Sequence, residues 1–505
     1  DNNPELLQDV QMREFTKILL CQFWFSTHKK YCLKQSDKLE IYLPKYNNTQ
    51  NIRLLAIMSF LHFSHNHPTK RVIVQKTARY WRRTCAWILA PVLIGLAGVG
   101  MAESSNYAFD LNQWIVSHVP WAALFYMPAG FALITWISRR FFSGTQGSGI
   151  PQTIAVIDDP DHTKKSNLLS IKILFGKIAM LLGGLTIGAS IGREGPTVQV
   201  GASIMHAFYG YGTLKTAEQR RTLALAGGAA GIAAAFNTPL AGIMFAMEEL
   251  TKKYVFKAHS STLLTVILSG LVSIACVGNY TYFGKTDATM TLLGNVPAVL
   301  VCGIAGGLTG GLFSRIVQKV SVTPPEKVKR IVRSHPVLFA AACGLIVAIL
   351  GLMTDGLVYG TSYQPTRMTL ESDTNVLVWF YGIAKFIATL VSTLSGIPGG
   401  LFAPTLSVGA GIGDNVFALF PGLAPHGAVI ILVMAAYLSG VTRSPLTSFI
   451  ITMEMTGSSH MLFSLMTAAL LASYVSKFVS PVPLYHALAT NFEYPEPKKT
   501  GSAPS

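Results

Sequence analysis

Charge is scarce in this chain. Of its 505 residues only 13% are Asp, Glu, Lys or Arg, about half the share usual in soluble domains. Acids are the scarcer sign, 24 against 40 Lys and Arg. With 50% hydrophobic residues and a mean hydropathy of +0.42, the composition excludes an ordinary soluble domain and places the chain in a bilayer. Cysteine is also sparse, six in all, and Cys85, Cys276, Cys302 and Cys343 fall in apolar sequence, so no disulfide framework is expected. Metal-ligand spacing is missing: His62, His65 and His67 have no Cys or acid to complete a set, and no metal or other cofactor is implied. Long unbroken apolar runs are few. Many apolar stretches fall short of the ~20 residues of a perpendicular span, and 45 glycines interrupt them. Tilted and half-length helices are therefore expected.

The charge that is present is unevenly placed. Residues 1–83 hold fourteen Lys or Arg against six acids, half of the net +16. By the positive-inside rule this basic segment is cytoplasmic. Lys70, Arg71, Lys76, Arg79, Arg82 and Arg83 sit just before the first apolar stretch, where basic residues set topology and meet anionic lipid, so no nucleic-acid partner is expected. Residues 84–285 are expected to form a first membrane half, 286–490 a second, and 491–505 a short polar tail. Gly278 to Lys285 reads as the turn-rich link between the halves, and Asp158 to Lys165 as a polar loop.

The division into halves rests on an internal repeat. Gly192-Arg193-Glu194-Gly195-Pro196-Thr197 is echoed 208 residues later by Gly400-Leu401-Phe402-Ala403-Pro404-Thr405. Asn237-Thr238-Pro239-Leu240 is echoed 206 residues later by Arg443-Ser444-Pro445-Leu446. Two related halves with broken helices meeting in the middle are a secondary-transporter architecture. Within the repeat Glu194 aligns with Phe402, so only one half supplies a titratable group at that place.

Gly147-Ser148-Gly149-Ile150-Pro151 joins close-approach backbone, a hydroxyl donor and a Pro suited to a first helical turn. Gly195-Pro196 and Ala403-Pro404 make similar helix starts. Three helix N-termini can hold an anion with N–H groups and dipole ends, without a full positive charge, and such weak binding permits release.

These three motifs resemble the signatures of the CLC family of chloride channels and proton-coupled chloride transporters. The resemblance covers residues 84–490. It implies an all-α polytopic membrane protein of two inverted, related halves with broken and tilted helices, working as a homodimer with one anion pathway per subunit. It further implies chloride coordinated by the Ser148 hydroxyl, the Tyr485 phenol and the backbone N–H groups of Leu401 and Phe402. Glu194 resembles the gating glutamate, a monoanion that occupies an anion site when charged, competing for the same N–H donors, and that accepts a proton. Glu249 resembles the internal proton-transfer glutamate of the exchangers, and Lys177 a basic residue near the anion path. Many exchangers carry acids after the first motif, where this chain has Gln152, Thr153 and Ile154.

The function implied is exchange of chloride for protons; the alternative is a passive voltage- or pH-gated chloride channel of the same fold. Serine at 148 favours chloride over nitrate, since nitrate-selective relatives tend to carry Pro there. An enzyme is not expected, because His118, His206, His335 and His460 sit in no nucleophile–base or metal motif. The resemblance to bacterial-type members without a C-terminal regulatory domain suggests a bacterial inner membrane, with the N-terminus in the cytoplasm.

Overall fold

The computed structural model describes residues 68–492, except 159–166, 212–213, 252–259, 279–280, 285, 287, 289, 291–294 and 372–376, and for 68–82 and 333 the backbone alone. Most of the basic N-terminal segment, His62, His65 and His67, Lys252 and Lys253, most of the 158–165 loop and the polar tail lie outside the described residues. The chain divides into Asp1–Val74 and Gln75–Ser505, and the site described below belongs to the second unit.

The fold is all-α. The helices are α1 Pro68–His118, α2 Ala123–Phe141, α3 Ile150–Asp158, α4 Ile171–Thr186, α5 Glu194–Ala207, α6 Ala217–Phe236, α7 Pro239–Phe245, α8 Ser260–Val277 and α9 Val296–Ser321. They continue with α10 Glu326–Ser334, α11 Pro336–Met353, α12 Tyr363–Glu371, α13 Tyr381–Leu394, α14 Phe402–Leu419, α15 His426–Thr442, α16 Pro445–Thr456, α17 Leu462–Val479 and α18 Leu484–Ala489. Among the described residues six helical segments are long and apolar enough to cross a membrane: Arg83–His118, Pro120–Phe141, Ser260–Val277, Val296–Ser321, Pro336–Met353 and Ser459–Val479. The protein is an integral, multi-pass membrane protein. Phe125, Trp136, Leu338 and Phe478, all exposed, cover these spans with apolar surface suited to lipid.

Shorter helices make the interior. Helix α15 is buried along its whole length and α6 is buried from Leu223 to Phe236, as expected of helices apolar all round. Small residues let them approach their neighbours. A Cβ added at Gly201 of α5 would run into the Gly227 carbonyl of α6; one added at Gly409 of α14 would lie 2.7 Å from the Met434 Cα of α15.

The repeat is structural. Helices α5 and α14 both start at the second residue after the repeated glycine. Asn237 and Arg443, both left-handed at φ 61° and 58°, end α6 and α15. Pro239 and Pro445 then open α7 and α16, where a missing N–H costs nothing. Helices α2 and α11 pack together, as do α7 and α16, so counterparts from the two halves meet across a pseudo-two-fold axis. The apolar stretch Leu223 to Met247 is continuous in the sequence. The left-handed turn at Asn237 breaks it, because Pro239 cannot continue the hydrogen-bond ladder of α6. The described part of the expected link, 281–284, is packed: Phe283 is buried and its N–H reaches the Met455 carbonyl at 2.9 Å.

Candidate functional site

The three glycine-rich motifs meet. Gly192 and Gly400 exchange both main-chain hydrogen bonds, Gly192 N–H to Gly400 O at 2.8 Å and the reverse at 2.6 Å. Gly399 N–H reaches Gly147 O at 3.1 Å, tying the first motif to the third. Gly195 packs so closely on Ser148 that an added Cβ would meet its Oγ, and would lie 3.1 Å from the Gly400 Cα. The first turns of α3, α5 and α14 are thus gathered around one point, and N–H groups of a first turn have no partner within their own helix.

Carbonyl oxygens would repel an anion, and those of the first loop are held by donors. Lys177 Nζ, fully buried on α4, donates to Thr145 O at 2.8 Å and Gly147 O at 2.5 Å. Gln152 Nε2 donates to Gly144 O and Gln146 O at 3.2 and 2.6 Å, and Gln199 Nε2 to Gly144 O and Leu168 O at 3.1 and 2.9 Å. Lys177 therefore neither snorkels nor faces a carboxylate there. Gln152 supplies N–H donors that an ionised Glu could not, which gives the amide at this position a structural reason. Thr153 Oγ1 donates to Gly149 O at 3.0 Å.

What remains toward the centre is a set of buried polar atoms without hydrogen-bond partners: Ser148 Oγ, the Tyr485 hydroxyl and both Glu194 carboxylate oxygens. Ser148 and Tyr485 lie side by side without a hydrogen bond of normal geometry. The Glu194 oxygens face the N–H groups of Glu194 itself and of Ala403 in the same way. Tyr485 is brought in by α18, which packs on α3. Phe402 closes one side, its ring 6.0 Å from that of Tyr485 and 5.9 Å from both Phe236 and Phe245. A buried polar group left unpaired costs about 1–3 kcal/mol, so several in one place mark a place built for a partner. Leu401 is the N-cap residue of α14 and Phe402 its first residue, so their backbone lies where the sequence expects donors.

Arg193, the N-cap residue of α5, turns away from that centre. Its Nη1 donates to Ala102 O at 2.9 Å, and its guanidinium lies 5.4 Å from the centroid of the Tyr282 ring. It forms part of the wall of a cavity of about 460 Å3 that also includes Glu103, Asp110, Thr361 and Gln364. The cavity therefore lies beside the start of α5.

Glu249 is 1% exposed and sits on a single π turn, Ala246–Leu250, that follows α7. Such turns often mark functional positions. Its Oε2 accepts a hydrogen bond from Ser444 Oγ, and its main-chain oxygen accepts one from His486 Nε2 at 2.9 Å. Its neighbour Glu248 has a different task. The Glu248 oxygens accept from Leu446 and Thr447 N–H at 3.1 and 2.7 Å, capping α16. The counterpart Glu454 accepts from Ala241 N–H on α7 at 3.1 Å, so each half caps a helix of the other.

The structure thus brings Ser148, Glu194, Leu401, Phe402 and Tyr485 together, with Lys177 behind them and Glu249 apart, on the turn after α7. Sequence reading missed Ser444, His486, Gln199 and Lys385. Lys385 could have been found, since it precedes Phe402 by the interval that separates Lys177 from Glu194. Its Nζ donates to Val358 O and Gly360 O at 2.9 and 2.8 Å, as Lys177 does in the first half. Among the described residues no group of three or more His, Cys, Asp or Glu is placed to hold a metal.

Residues 130–477 match the family described as voltage gated chloride channel. An H(+)/Cl(-) exchange transporter ClcA from Klebsiella pneumoniae (strain 342) is 29% identical over 419 residues, covering 78% of this chain and 86% of that protein. Among solved structures, a slow cyanobacterial Cl-/H+ antiporter superposes with a TM-score of 0.66 at 24% identity, covering 81% of this chain and 98% of the other. A CLC-type fluoride/proton antiporter superposes with a TM-score of 0.67 at 19% identity, covering 83% and 99%.

Proposed function

This chain belongs to the voltage gated chloride channel family, and on that footing we propose that it is a secondary active transporter, not an enzyme, which exchanges chloride for protons. The observation that carries this reading is the convergence of unpartnered Ser148, Tyr485 and Glu194 side-chain oxygens on the first turns of α5 and α14. An anion placed there accepts hydrogen bonds from the Ser148 and Tyr485 hydroxyls and from the N–H groups of Leu401 and Phe402. The four carbonyls of the preceding loop do not oppose it, because Lys177, Gln152 and Gln199 hold them.

Glu194 competes with that anion. Ionised, its carboxylate takes N–H donors at the start of α14; protonated, it loses its charge and yields them. Each such exchange moves a proton on and an anion past. Glu249, on this reading, delivers protons from the opposite face, the cytoplasmic one; the outer gate is then Glu194. Two carboxylates in one buried path are the minimum for carrying protons from both faces to a shared site. The curated relative's name, an H(+)/Cl(-) exchange transporter, supports the pairing of substrates.

The protein works, on this reading, as a homodimer in a bacterial inner membrane, with residues 84–285 and 286–490 as its two halves and the basic N-terminal segment in the cytoplasm. The deciding experiment is reconstitution in liposomes. Dissipating a chloride gradient is expected to drive protons uphill; chloride flux with proton movement no greater than leak would make the protein a passive channel.

A further inference from the structure

We propose that the cavity of about 460 Å3 beside the start of α5 is a second anion site, in which the Thr361 hydroxyl and the first turn of α12 hold a small monovalent anion such as chloride. This rests on reading the three gathered motifs as an anion site, of which the cavity is the counterpart built by the second half of the chain.

The loops before α3 and α12 are built alike, 213 residues apart. Lys177 donates to Thr145 O and Gly147 O, and Lys385 to Val358 O and Gly360 O. The other two carbonyls of each loop are held as well: Gly144 O and Gln146 O by Gln152, Leu357 O and Tyr359 O by Ser362 Oγ at 2.6 and 3.3 Å. Gly147 and Gly149 have positive φ, 67° and 98°; so do Gly360 and Ser362, at 58° and 53°. Thr153 Oγ1 donates to Gly149 O, and Thr366 Oγ1 to Ser362 O at 2.9 Å. In this alignment Thr361 stands at the place of Ser148, so the hydroxyl recurs where the surrounding sequence does not. The carbonyls of the loop are kept from opposing an anion, and the first N–H groups of α12 have no partner within their own helix.

Two further features of the cavity point to a ligand. Ser105 lines it, is 6% exposed, and its Oγ has no hydrogen-bond partner. Arg193, buried, brings a guanidinium into the same wall. Aromatic rings fix that charge beside α12: the guanidinium lies 5.4 Å from the Tyr282 ring, which lies 5.1 Å from that of Tyr363, the first residue of α12. A charge held in a dry wall attracts an anion more strongly than one in water. Glu103 and Asp110 on α1 line the cavity too and oppose the anion, but both are exposed, where salt screens them. Thr361 is only half-buried and the space exceeds one ion, so the anion keeps part of its water and binds weakly. Arg193 is followed directly by Glu194, so anions gathered at this wall reach the start of α5 at a higher concentration than the bath supplies.

The test uses full-length protein crystallised with bromide in place of chloride, so that anomalous scattering locates the anion. One peak is expected beside Ser148 and Tyr485, and a second in the cavity at Thr361. Thr361→Val keeps the shape of the side chain and is expected to lose the second peak alone; Thr361→Ser is expected to retain it. In liposomes Thr361→Val should raise the half-saturating chloride concentration about fivefold on the face to which the cavity opens. The maximal rate and the other face should be unchanged. Glu103→Gln combined with Asp110→Asn should act in the opposite direction and lower that concentration. A first peak without a second in the wild type, or a second peak or half-saturating concentration that Thr361→Val leaves unaltered, overturns this inference and leaves the reading of the first site intact. Bromide at neither place overturns both.

Discussion

Gly192 and Gly400 stand face to face across the pseudo-two-fold axis and exchange both of their main-chain hydrogen bonds. Each is the residue that leads into a site helix, so this contact sets the separation of the α5 and α14 N-termini. It also fixes where Glu194 can go. A Cβ on Gly192 would occupy the place of the Glu194 Oε2 and would lie 3.0 Å from Pro404 Cδ.

Gly192→Ala should therefore displace the Glu194 carboxylate rather than unfold the protein, since the colliding atom is the end of a movable side chain. The expected result is chloride flux that persists with weakened proton coupling, while thermal stability falls by no more than about 1–3 kcal/mol. Parallel flux and melting measurements on purified protein check this.

Glu194→Gln removes the charge and keeps the shape. Proton movement is expected to stop and chloride flux to continue, no longer varying with pH. A folded variant that moves no chloride would count against the gating role.

Ser148→Ala and Tyr485→Phe each remove one hydroxyl from the anion site. Chloride affinity is expected to fall by about 1 kcal/mol per hydroxyl, roughly fivefold in Kd, because backbone donors remain. Calorimetric titration reads the change; unchanged binding in both would place the site elsewhere.

The adjacent acids 248 and 249 should separate cleanly. Glu249→Gln is expected to abolish proton movement while sparing most chloride passage. Glu248→Gln should keep coupling and lose stability, on the order of 1 kcal/mol, because a charged cap on two N–H groups becomes a neutral one. Coupling ratio and melting temperature, measured on both variants, test the assignment.

How much of this could be read in the chain varies by residue. The repeat, the three motifs and the proline-led helix starts stand within short stretches of sequence; Glu194 and Phe402 are the first residues of α5 and α14, and Ser148 lies two residues ahead of α3. The break at Asn237 was not legible from hydropathy, since two residues of turn scarcely alter an apolar window of that length. Ser444 and His486 were not legible either. They lie 195 and 237 residues from Glu249, and only the folded packing of α16 and α18 against the π turn makes them its neighbours. Gln152 reads in the sequence as a missing acid, and in the structure as a donor to two carbonyls.

The crossed caps on α7 and α16 bear on the order in which the molecule is made. Ala241 N–H of α7 waits for Glu454, 213 residues further on. At a synthesis rate of 5–20 residues per second, that wait lasts on the order of ten to forty seconds. During it the nascent first half holds a helix start that it cannot satisfy from its own sequence, and the second half arrives with the mirror-image need, which Glu248 meets at once. Assembly thus includes a mutual latch between early and late sequence, and a chain that stops before Glu454 lacks one half of that latch.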